Sequence, residues 1–313
     1  MPSSHPGRMP CSSVIPDMSD YMTLTELIAQ YQKPLFPLPS GAREEGALRG
    51  KVRAVLFDVY GTLFVSESGD ISIAQEGIFG KEKGRLSLLR GLFRRYGVES
   101  DENSVLQRFF EEIRTVHETL RAGGVDHPEV KIDKVWMTIL GLDNIERARR
   151  FAVEYESIVN PAYPMPNCLA VIEALKDRGI LLGLISNAQF FTPLLFEAFF
   201  GRTLDELGFS SALVVFSYAH GAAKPSYLLF SHAAEALKRE KIEPPHALYV
   251  GNDVRNDIVP AMEAGFQTAL FAGDRRSLRL RKDDSHCAGI KPDLKIIDLL
   301  SIVREIEKKQ KRA

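Results

Sequence analysis

The sequence is poor in cysteine, has no surplus of either charge and contains no long apolar run. Its three cysteines, Cys11, Cys168 and Cys287, are widely spaced and odd in number, which argues against a disulfide framework and favours a reducing, cytoplasmic location. Lys and Arg number 40 against 41 Asp and Glu, so a general binder of nucleic acid is not expected. No stretch approaches the ~20 apolar residues of a membrane span. With 45% hydrophobic residues, the chain has enough apolar side chains for a globular core.

The first fifty residues differ from the rest, and we interpret residues 1–50 as an N-terminal tail and linker. Residues 1–20 are rich in Pro and Ser, which predicts a disordered tail. Residues 23–31 predict a short helix capped by Thr23, and the proline-broken segment 33–41 predicts a linker.

Alternating strand and helix patterns begin at residue 52. Continuous apolar runs of this kind are typical of strands buried on both faces of a parallel sheet, and five occur, at 52–57, 181–186, 212–217, 247–252 and 268–273. Helical patterns at 167–179 and 225–240 separate the later runs. This order predicts an α/β protein with a doubly wound, Rossmann-like parallel sheet.

The interval between the first strand and the second is too long for one crossover. Its patterns are helical, at 86–96, 104–121, 130–140 and 144–159. We therefore predict a helical cap at 66–165, inserted after the first strand into a core domain of residues 51–65 and 166–313. Ligands of open parallel sheets bind beyond the carboxyl ends of the strands, so the cap is expected to cover that crevice.

Polar residues of types common in catalytic sites follow the predicted strands. They are Asp58 with Gly61 and Thr62, then Ser186 and Asn187, then Lys224, and finally Asn252, Asp253, Asn256 and Asp257. Each alone is more often a cap, a turn residue or a solvated side chain. Gathered on one rim, they indicate a carboxylate nucleophile, with Lys224 and a hydroxyl neutralising a small anionic substrate. Asp253 and Asp257 would hold a hard cation or a water.

Four segments in this order resemble the motifs of the haloacid dehalogenase superfamily. They are DVYGTL (58–63), LISNA (184–188), Lys-Pro (224–225) and GNDVRND (251–257). The resemblance implies a hydrolase in which Asp58 forms a covalent aspartyl intermediate, assisted by Lys224 and Asp257. It implies a substrate site at Tyr60, Gly61, Thr62, Ser186 and Asn187. It also implies Mg²⁺ held by Asp58, the main-chain carbonyl of Tyr60 and Asp253.

Two positions depart from the usual phosphatase pattern. Tyr60 stands where a second Asp normally follows the nucleophile, and a phenol with a pKa near ~10 is a poor base at neutral pH. The first motif of this sequence resembles that of the true dehalogenases, whose halide leaving group needs no proton. Those enzymes use no metal, and their last motif lacks the carboxylate that Asp253 supplies here. The alignment of the last loop leaves open whether Asn252 or Asp253 stands at the metal position.

Three functions therefore remain under consideration. Mg²⁺-assisted hydrolysis of a phosphomonoester is slightly favoured over metal-independent 2-haloacid dehalogenase-like hydrolysis. The third is a protein of low activity that binds a phosphorylated ligand or a partner. The basic run from Arg275 to Lys282 is interpreted as a solvated loop, with an anion or partner site as the sharper hypothesis.

Overall fold

The computed structural model describes residues 22–67, 83–98 and 101–311. The tail predicted at 1–20 lies outside these ranges. The strands are β1 (Glu45–Gly46), β2 (Ala54–Phe57), β3 (Phe64–Ser66), β4 (Ala162–Pro164), β5 (Leu181–Ser186), β6 (Phe209–Phe216), β7 (Ala247–Gly251), β8 (Gln267–Phe271) and β9 (Leu294–Ile296). The helices are α1 (Leu24–Tyr31), α2 (Lys83–Arg95), α3 (Glu102–Ala122), α4 (Ile132–Leu140), α5 (Ile145–Val159), α6 (Cys168–Lys176), α7 (Thr192–Phe200), α8 (Leu204–Leu207), α9 (Ser217–His220), α10 (Tyr227–Arg239), α11 (Val259–Glu263) and α12 (Leu300–Gln310).

Seven strands form one sheet in the order β1-β9-β8-β7-β2-β5-β6. Neighbouring strands are parallel except for β1 and β9. The predicted α/β fold with a mainly parallel sheet is confirmed, although β6 begins at Phe209 rather than at residue 212. Strand β2 lies between β5 and β7, with Phe57 level with Leu184 on one side and Val250 on the other. The residue after Phe57 therefore emerges in the middle of the sheet's carboxyl edge.

Strand β2 is apolar throughout because both faces of the sheet are covered. Val55 and Phe57 belong to one cluster of buried side chains, whereas Ala54 and Leu56 belong to the other. Successive side chains of a strand point to opposite faces, so a strand buried on both sides has no polar position. The polar residue Asp58 then marks the point where the strand leaves the core.

Within the segment interpreted as tail and linker, residues 22–50 pack onto the body of the molecule. Helix α1 begins with a capping box between Thr23 and Glu26 and packs on α5 and α7, with Leu27 and Ile28 buried. Strand β1 extends the sheet by pairing with β9. The proline-rich residues 33–41 between them contain no helix or strand, as expected of a linker.

Helices α2 to α5 form the insertion that follows the first strand of the core. The ring centroids of Phe109 and Trp136 lie 4.3 Å apart, and Tyr155 packs on both rings at the centre of these helices. Strands β3 and β4 flank the insertion and pair antiparallel, with Val65 level with Tyr163. The helical insertion is confirmed, and the domain boundaries at 66 and 165 remain predictions. No helix in the described ranges has the length and apolarity needed to cross a membrane.

Candidate active site

Asp58, Lys224 and Asp257 form a buried cluster of charges at the carboxyl edge of the sheet. Oδ1 of Asp58 accepts hydrogen bonds from Ser186 Oγ at 2.8 Å and from Lys224 Nζ at 2.7 Å. Lys224 Nζ also donates to Oδ1 of Asp257 at 2.5 Å. The side chains of Asp58, Lys224 and Asp257 are 9, 4 and 1% exposed, so their charges are compensated mainly by one another.

The strand order brings these residues together from distant parts of the chain. Asp58, Ser186 and Asn252 lie at the ends of the neighbouring strands β2, β5 and β7. Lys224 comes from the loop after β6, and Asn187 fixes its main chain. The N–H of Lys224 donates to Asn187 Oδ1 at 2.6 Å, and Asn187 Nδ2 donates to the Lys224 carbonyl at 3.4 Å.

The pKa shifts of this cluster favour the ammonium form of Lys224. Burial raises the pKa of Asp257 to about 6, Lys224 opposes that rise, and the charges of Asp58 and Asp253 add to it. Burial alone would lower the pKa of Lys224, but Asp257 and Asp58 outweigh it, and the pKa is raised. Oδ2 of Asp257 accepts the main-chain N–H groups of Asn252 and Asp253 at 2.9 Å each.

Tyr249 completes the cluster, and sequence reasoning missed it. Lys224 Nζ donates to Tyr249 Oη at 3.2 Å, and Tyr249 Oη donates to the Ile185 carbonyl at 2.8 Å. Burial raises the pKa of Tyr249 well above its usual value, so the hydroxyl keeps its proton. The available signal was a lone aromatic hydroxyl within the apolar run 247–252, just before the polar loop.

Gly61 and Thr62 pack against the last loop of the site. Gly61 has a φ of +82°, and a Cβ there would lie 2.6 Å from Ser277 Cβ and 2.8 Å from Asn252 Nδ2. Thr62 Oγ1 donates to Asn252 Oδ1 at 3.1 Å, and Asn252 Nδ2 donates to the Ser277 carbonyl at 2.7 Å. Both ends of the Asn252 amide are thus engaged by neighbouring loops.

Tyr60 forms part of the wall between two cavities. Its hydroxyl lies 3.0 Å from Thr192 Oγ1 at the start of α7. Burial raises its pKa, so the phenol remains protonated at neutral pH. On one side Tyr60 lines the cleft that contains Asp58. On the other it lines a cavity bordered by Ile28 and Tyr31 of α1 and by Phe191.

The cleft encloses about 470 Å³, including the part open to solvent. It is lined by Asp58, Tyr60, Asn187, Lys224, Asn252, Asp253, Asn256, Asp257, Arg279 and Arg281. The predicted residues Gly61, Thr62 and Ser186 lie behind this wall, where Ser186 and Thr62 are fully buried. Sequence reasoning did not assign Arg279 and Arg281 to the site, although both belong to the basic run 275–282. Among the lining residues, three carboxylates therefore face three cationic side chains.

Asp253 is held by Arg281. Arg281 Nη2 donates to Asp253 Oδ2 at 2.6 Å, and Arg281 Nε lies 3.2 Å from both carboxylate oxygens. Oδ1 of Asp253 also accepts the main-chain N–H groups of Arg255 at 2.9 Å and Asn256 at 3.3 Å, which caps the π-helical turn Val254–Ile258. Both oxygens of Asp253 are therefore engaged.

These contacts can be compared with the metal site that the sequence resemblance implies. Oδ2 of Asp58 accepts no hydrogen bond from the residues that the structure describes, so one ligand position is open. Asp253, by contrast, is paired with Arg281, and the amide oxygen of Asn252 accepts from Thr62. Mg²⁺ prefers an octahedral set of free oxygens, and the residues as arranged do not present one. Charge in the cleft is instead balanced by its own cations.

The family of the chain follows from comparison with known proteins. A family model described as haloacid dehalogenase-like hydrolase matches residues 52–265. The chain belongs to this family and is a hydrolase, which confirms the resemblance seen in the sequence.

Individual relatives carry two kinds of name. A glyceraldehyde 3-phosphate phosphatase of Methanopyrus kandleri is 27% identical over 266 residues, covering 82% of this chain and 99% of that protein. A glyceraldehyde 3-phosphate phosphatase of Methanothermobacter thermautotrophicus is 29% identical over 151 residues, covering 46% of this chain and 58% of that protein. The solved structure of a 2-haloacid dehalogenase from Pseudomonas syringae pv. Tomato DC3000 aligns with a TM-score of 0.50 at 18% identity, covering 82% of this chain and 99% of that one. At that identity the likeness concerns the fold.

Proposed function

We propose that the protein hydrolyses a small phosphomonoester, with Asp58 as the nucleophile. The observation that carries this proposal is the asymmetry of the Asp58 carboxylate. Oδ1 is fixed by Ser186 and Lys224, whereas Oδ2 accepts no hydrogen bond from the described residues and Asp58 lines the cleft. Both phosphatases named above support a phosphoryl group as the part transferred.

The proposed reaction has two steps. Oδ2 of Asp58 attacks phosphorus, forming an O–P bond while the bond from phosphorus to the leaving oxygen breaks. Water then attacks phosphorus of the aspartyl phosphate, which releases phosphate and regenerates the carboxylate. Lys224 keeps its charge through both steps because Asp257 holds it, and it offsets the negative charge of the transferring group.

This site lacks a carboxylic acid that could protonate the leaving oxygen from the position of Tyr60. The phenol of Tyr60 is paired with Thr192 and is a poor base, so an alkoxide must leave with little assistance. We therefore expect turnover to fall steeply as the pKa of the leaving group rises. Aryl and acyl phosphates should be hydrolysed faster than alkyl phosphates.

The test is a series of phosphomonoesters assayed with wild type, Tyr60→Asp and Tyr60→Phe. Tyr60→Asp should raise kcat/KM for alkyl esters by about 10²-fold or more, the range of general acid–base assistance, and should flatten the dependence on the leaving group. Tyr60→Phe is the matched control, which removes only the hydroxyl and should keep the wild-type slope. A flat wild-type profile would show that a group outside this scheme supplies the proton.

Mg²⁺ assistance is the finer form of this function that the resemblance implies. The contacts of Asp253 do not support it, since Arg281 donates to both carboxylate oxygens. The comparison is direct: turnover of a phosphomonoester is measured after chelation and again with added Mg²⁺. Loss of turnover that Mg²⁺ restores would support the metal-assisted form, and unchanged turnover would support hydrolysis without a metal.

Metal-independent 2-haloacid dehalogenase-like hydrolysis is the second candidate. Tyr60 favours it because a halide leaves without a proton, and Arg279, which contacts no carboxylate of the described residues, lines the cleft as a cation for a substrate carboxylate. Hydrolysis in ¹⁸O-labelled water separates the two reactions. Water attacking the carbonyl carbon of an aspartyl ester places ¹⁸O in Asp58, whereas water attacking phosphorus places it in phosphate. The position of ¹⁸O is determined after reaction with 2-chloropropionate and, separately, with a phosphomonoester.

A cytoplasmic location also belongs to this proposal. Cys168 and Cys287 are both buried and form no disulfide within the described part of the chain. Burial raises the pKa of Cys168, which keeps its thiol protonated and unreactive. Reduced, inert cysteines agree with a reducing compartment.

A further inference from the structure

The loop between β8 and β9 is hydrogen-bonded to the loops that follow β2 and β7. We call residues 274–287 the basic loop. The N–H of Arg279 donates to the Asn252 carbonyl at 2.9 Å, and the N–H of Val254 donates to the Arg279 carbonyl at 2.9 Å. Ser277 Oγ donates to the carbonyl of Gly61 at 3.2 Å. The arginines of this loop are therefore held at defined positions in the cleft wall.

Arg281, which contacts Asp253, has an uncommon backbone conformation. Its φ is +50°, in the left-handed region that non-glycine residues seldom occupy. The N–H of Asp284 donates to the Arg281 carbonyl at 3.0 Å, which closes the turn. A conformation of this kind is strained and persists where surrounding contacts impose it. In this conformation Nε and Nη2 of Arg281 both contact the carboxylate of Asp253.

The charges of the cleft explain what this contact achieves. Asp58 and Asp257 share the ammonium of Lys224, which leaves Asp253 as the carboxylate without a cation from the buried cluster. Arg281 supplies that missing positive charge from the basic loop. In a metal-assisted hydrolase the same compensation would come from the divalent cation.

We propose that Arg281 replaces a divalent metal as the counter-charge of Asp253, so that the wild-type cleft excludes the metal until this arginine is removed. The proposal rests on the proposed function for the identity of the cleft as the active site. It concerns metal binding in the absence of substrate, so it can fail or succeed whether or not a phosphomonoester is turned over.

The test is a titration with Mn²⁺, followed by the loss of the free-ion signal in electron paramagnetic resonance. Arg281→Gln should bind one Mn²⁺ at least about tenfold more tightly than wild type, a gain of about 1.4 kcal/mol. Removing any positive charge from the cleft favours a cation through space, and Arg279→Gln measures that effect. Arg279 lines the same cleft, but its guanidinium donates to the carbonyls of Arg276 and Leu278 rather than to a carboxylate. The gain in Arg281→Gln must therefore exceed the gain in Arg279→Gln.

Two further variants keep the proposal open to refutation. Adding Asp253→Asn to Arg281→Gln should abolish the gain, because the uncovered ligand is lost. Asp253→Asn alone should weaken Mn²⁺ binding by no more than the factor by which Arg279→Gln strengthens it, because Asp253 is already paired with Arg281. This measurement does not depend on whether Arg281→Gln folds. The proposal is overturned if wild type binds Mn²⁺ as tightly as Arg281→Gln, if the two arginine variants gain equally, or if Asp253→Asn alone costs tenfold or more.

Discussion

Two groups of opposite charges share the cleft, and they differ in burial and in origin. Asp58, Lys224 and Asp257 are each less than 10% exposed and come from the segments that follow β2, β6 and β7. Arg281 is 35% exposed and reaches Asp253 from a surface loop. Breaking the buried cluster leaves charges that water cannot reach. Arg281 is partly solvated, and Asp253, itself only 9% exposed, keeps two main-chain N–H donors when Arg281 is removed. The buried cluster is therefore expected to govern chemistry and stability, and the loop pair to govern which cation the cleft admits.

The largest expected effect is the loss of the proposed nucleophile. Asp58→Asn should lower turnover by about 10⁴-fold or more, since an amide oxygen does not form the covalent intermediate. Lys224 keeps its contact with Asp257, so the variant should remain folded. Steady-state assays on a phosphomonoester together with circular dichroism check both points. Turnover within tenfold of wild type would remove Asp58 from the mechanism.

The second largest expected effect is a difference in the free energy of unfolding between variants of the two groups. Lys224→Met leaves Asp58 and Asp257 buried without a cation and should lower the free energy of unfolding by about 3–5 kcal/mol. Arg281→Met is the matched change at the partly exposed cation, and it should lower the free energy of unfolding by only about 1 kcal/mol, because Asp253 keeps the main-chain N–H groups of Arg255 and Asn256. Urea unfolding of both variants at neutral pH measures the difference. Equal losses would mean that burial does not distinguish the two groups as described.

A smaller effect concerns pH and links the two groups. Above pH 6 Asp257 is a carboxylate that holds Lys224, and below its pKa of about 6 it takes up a proton. We therefore expect kcat/KM to fall as pH decreases through about 6, by roughly tenfold per unit. The charge of Asp253 helps to raise this pKa. Asp253→Asn should accordingly move the acidic limb to lower pH, and a limb that does not move would contradict the coupling.

Much of the fold follows from periodicity, because the buried strands are apolar on both faces and their helices carry one apolar stripe. Strands β5, β7 and β8 lie close to their predicted positions. The pairing of β3 with β4 was not predicted, since each has three residues and the two lie on either side of the whole insertion. Helix α7 was also missed, because its largely apolar sequence lacks an amphipathic period.

The residues of the buried cluster could be predicted from the sequence, whereas the contact between Arg281 and Asp253 could not. Asp58, Ser186, Lys224 and Asp257 were predictable because each follows a strand or loop with a recognisable motif, and the sheet order brings the ends together. The partnership of Arg281 with Asp253 was not predictable. It depends on a positive φ and on the main-chain pairing of Arg279 with Asn252 and Val254, neither of which leaves a periodic signal. The basic run was interpreted as a solvated loop, with an anion or partner site as the sharper hypothesis, whereas in the structure Arg281 contacts a carboxylate of the protein itself.

The central claim is that Asp58 becomes covalently phosphorylated during turnover. The protein is allowed to react with a rapidly hydrolysed aryl phosphate, and the reaction is then quenched. Reduction of the quenched protein with borohydride converts an aspartyl phosphate into homoserine. Peptide mass spectrometry then identifies the modified position. We predict homoserine at residue 58 in wild type and an unmodified residue in Asp58→Asn. Turnover of the phosphomonoester with Asp58 unmodified, or with the modification at Asp253 or Asp257, would contradict the account.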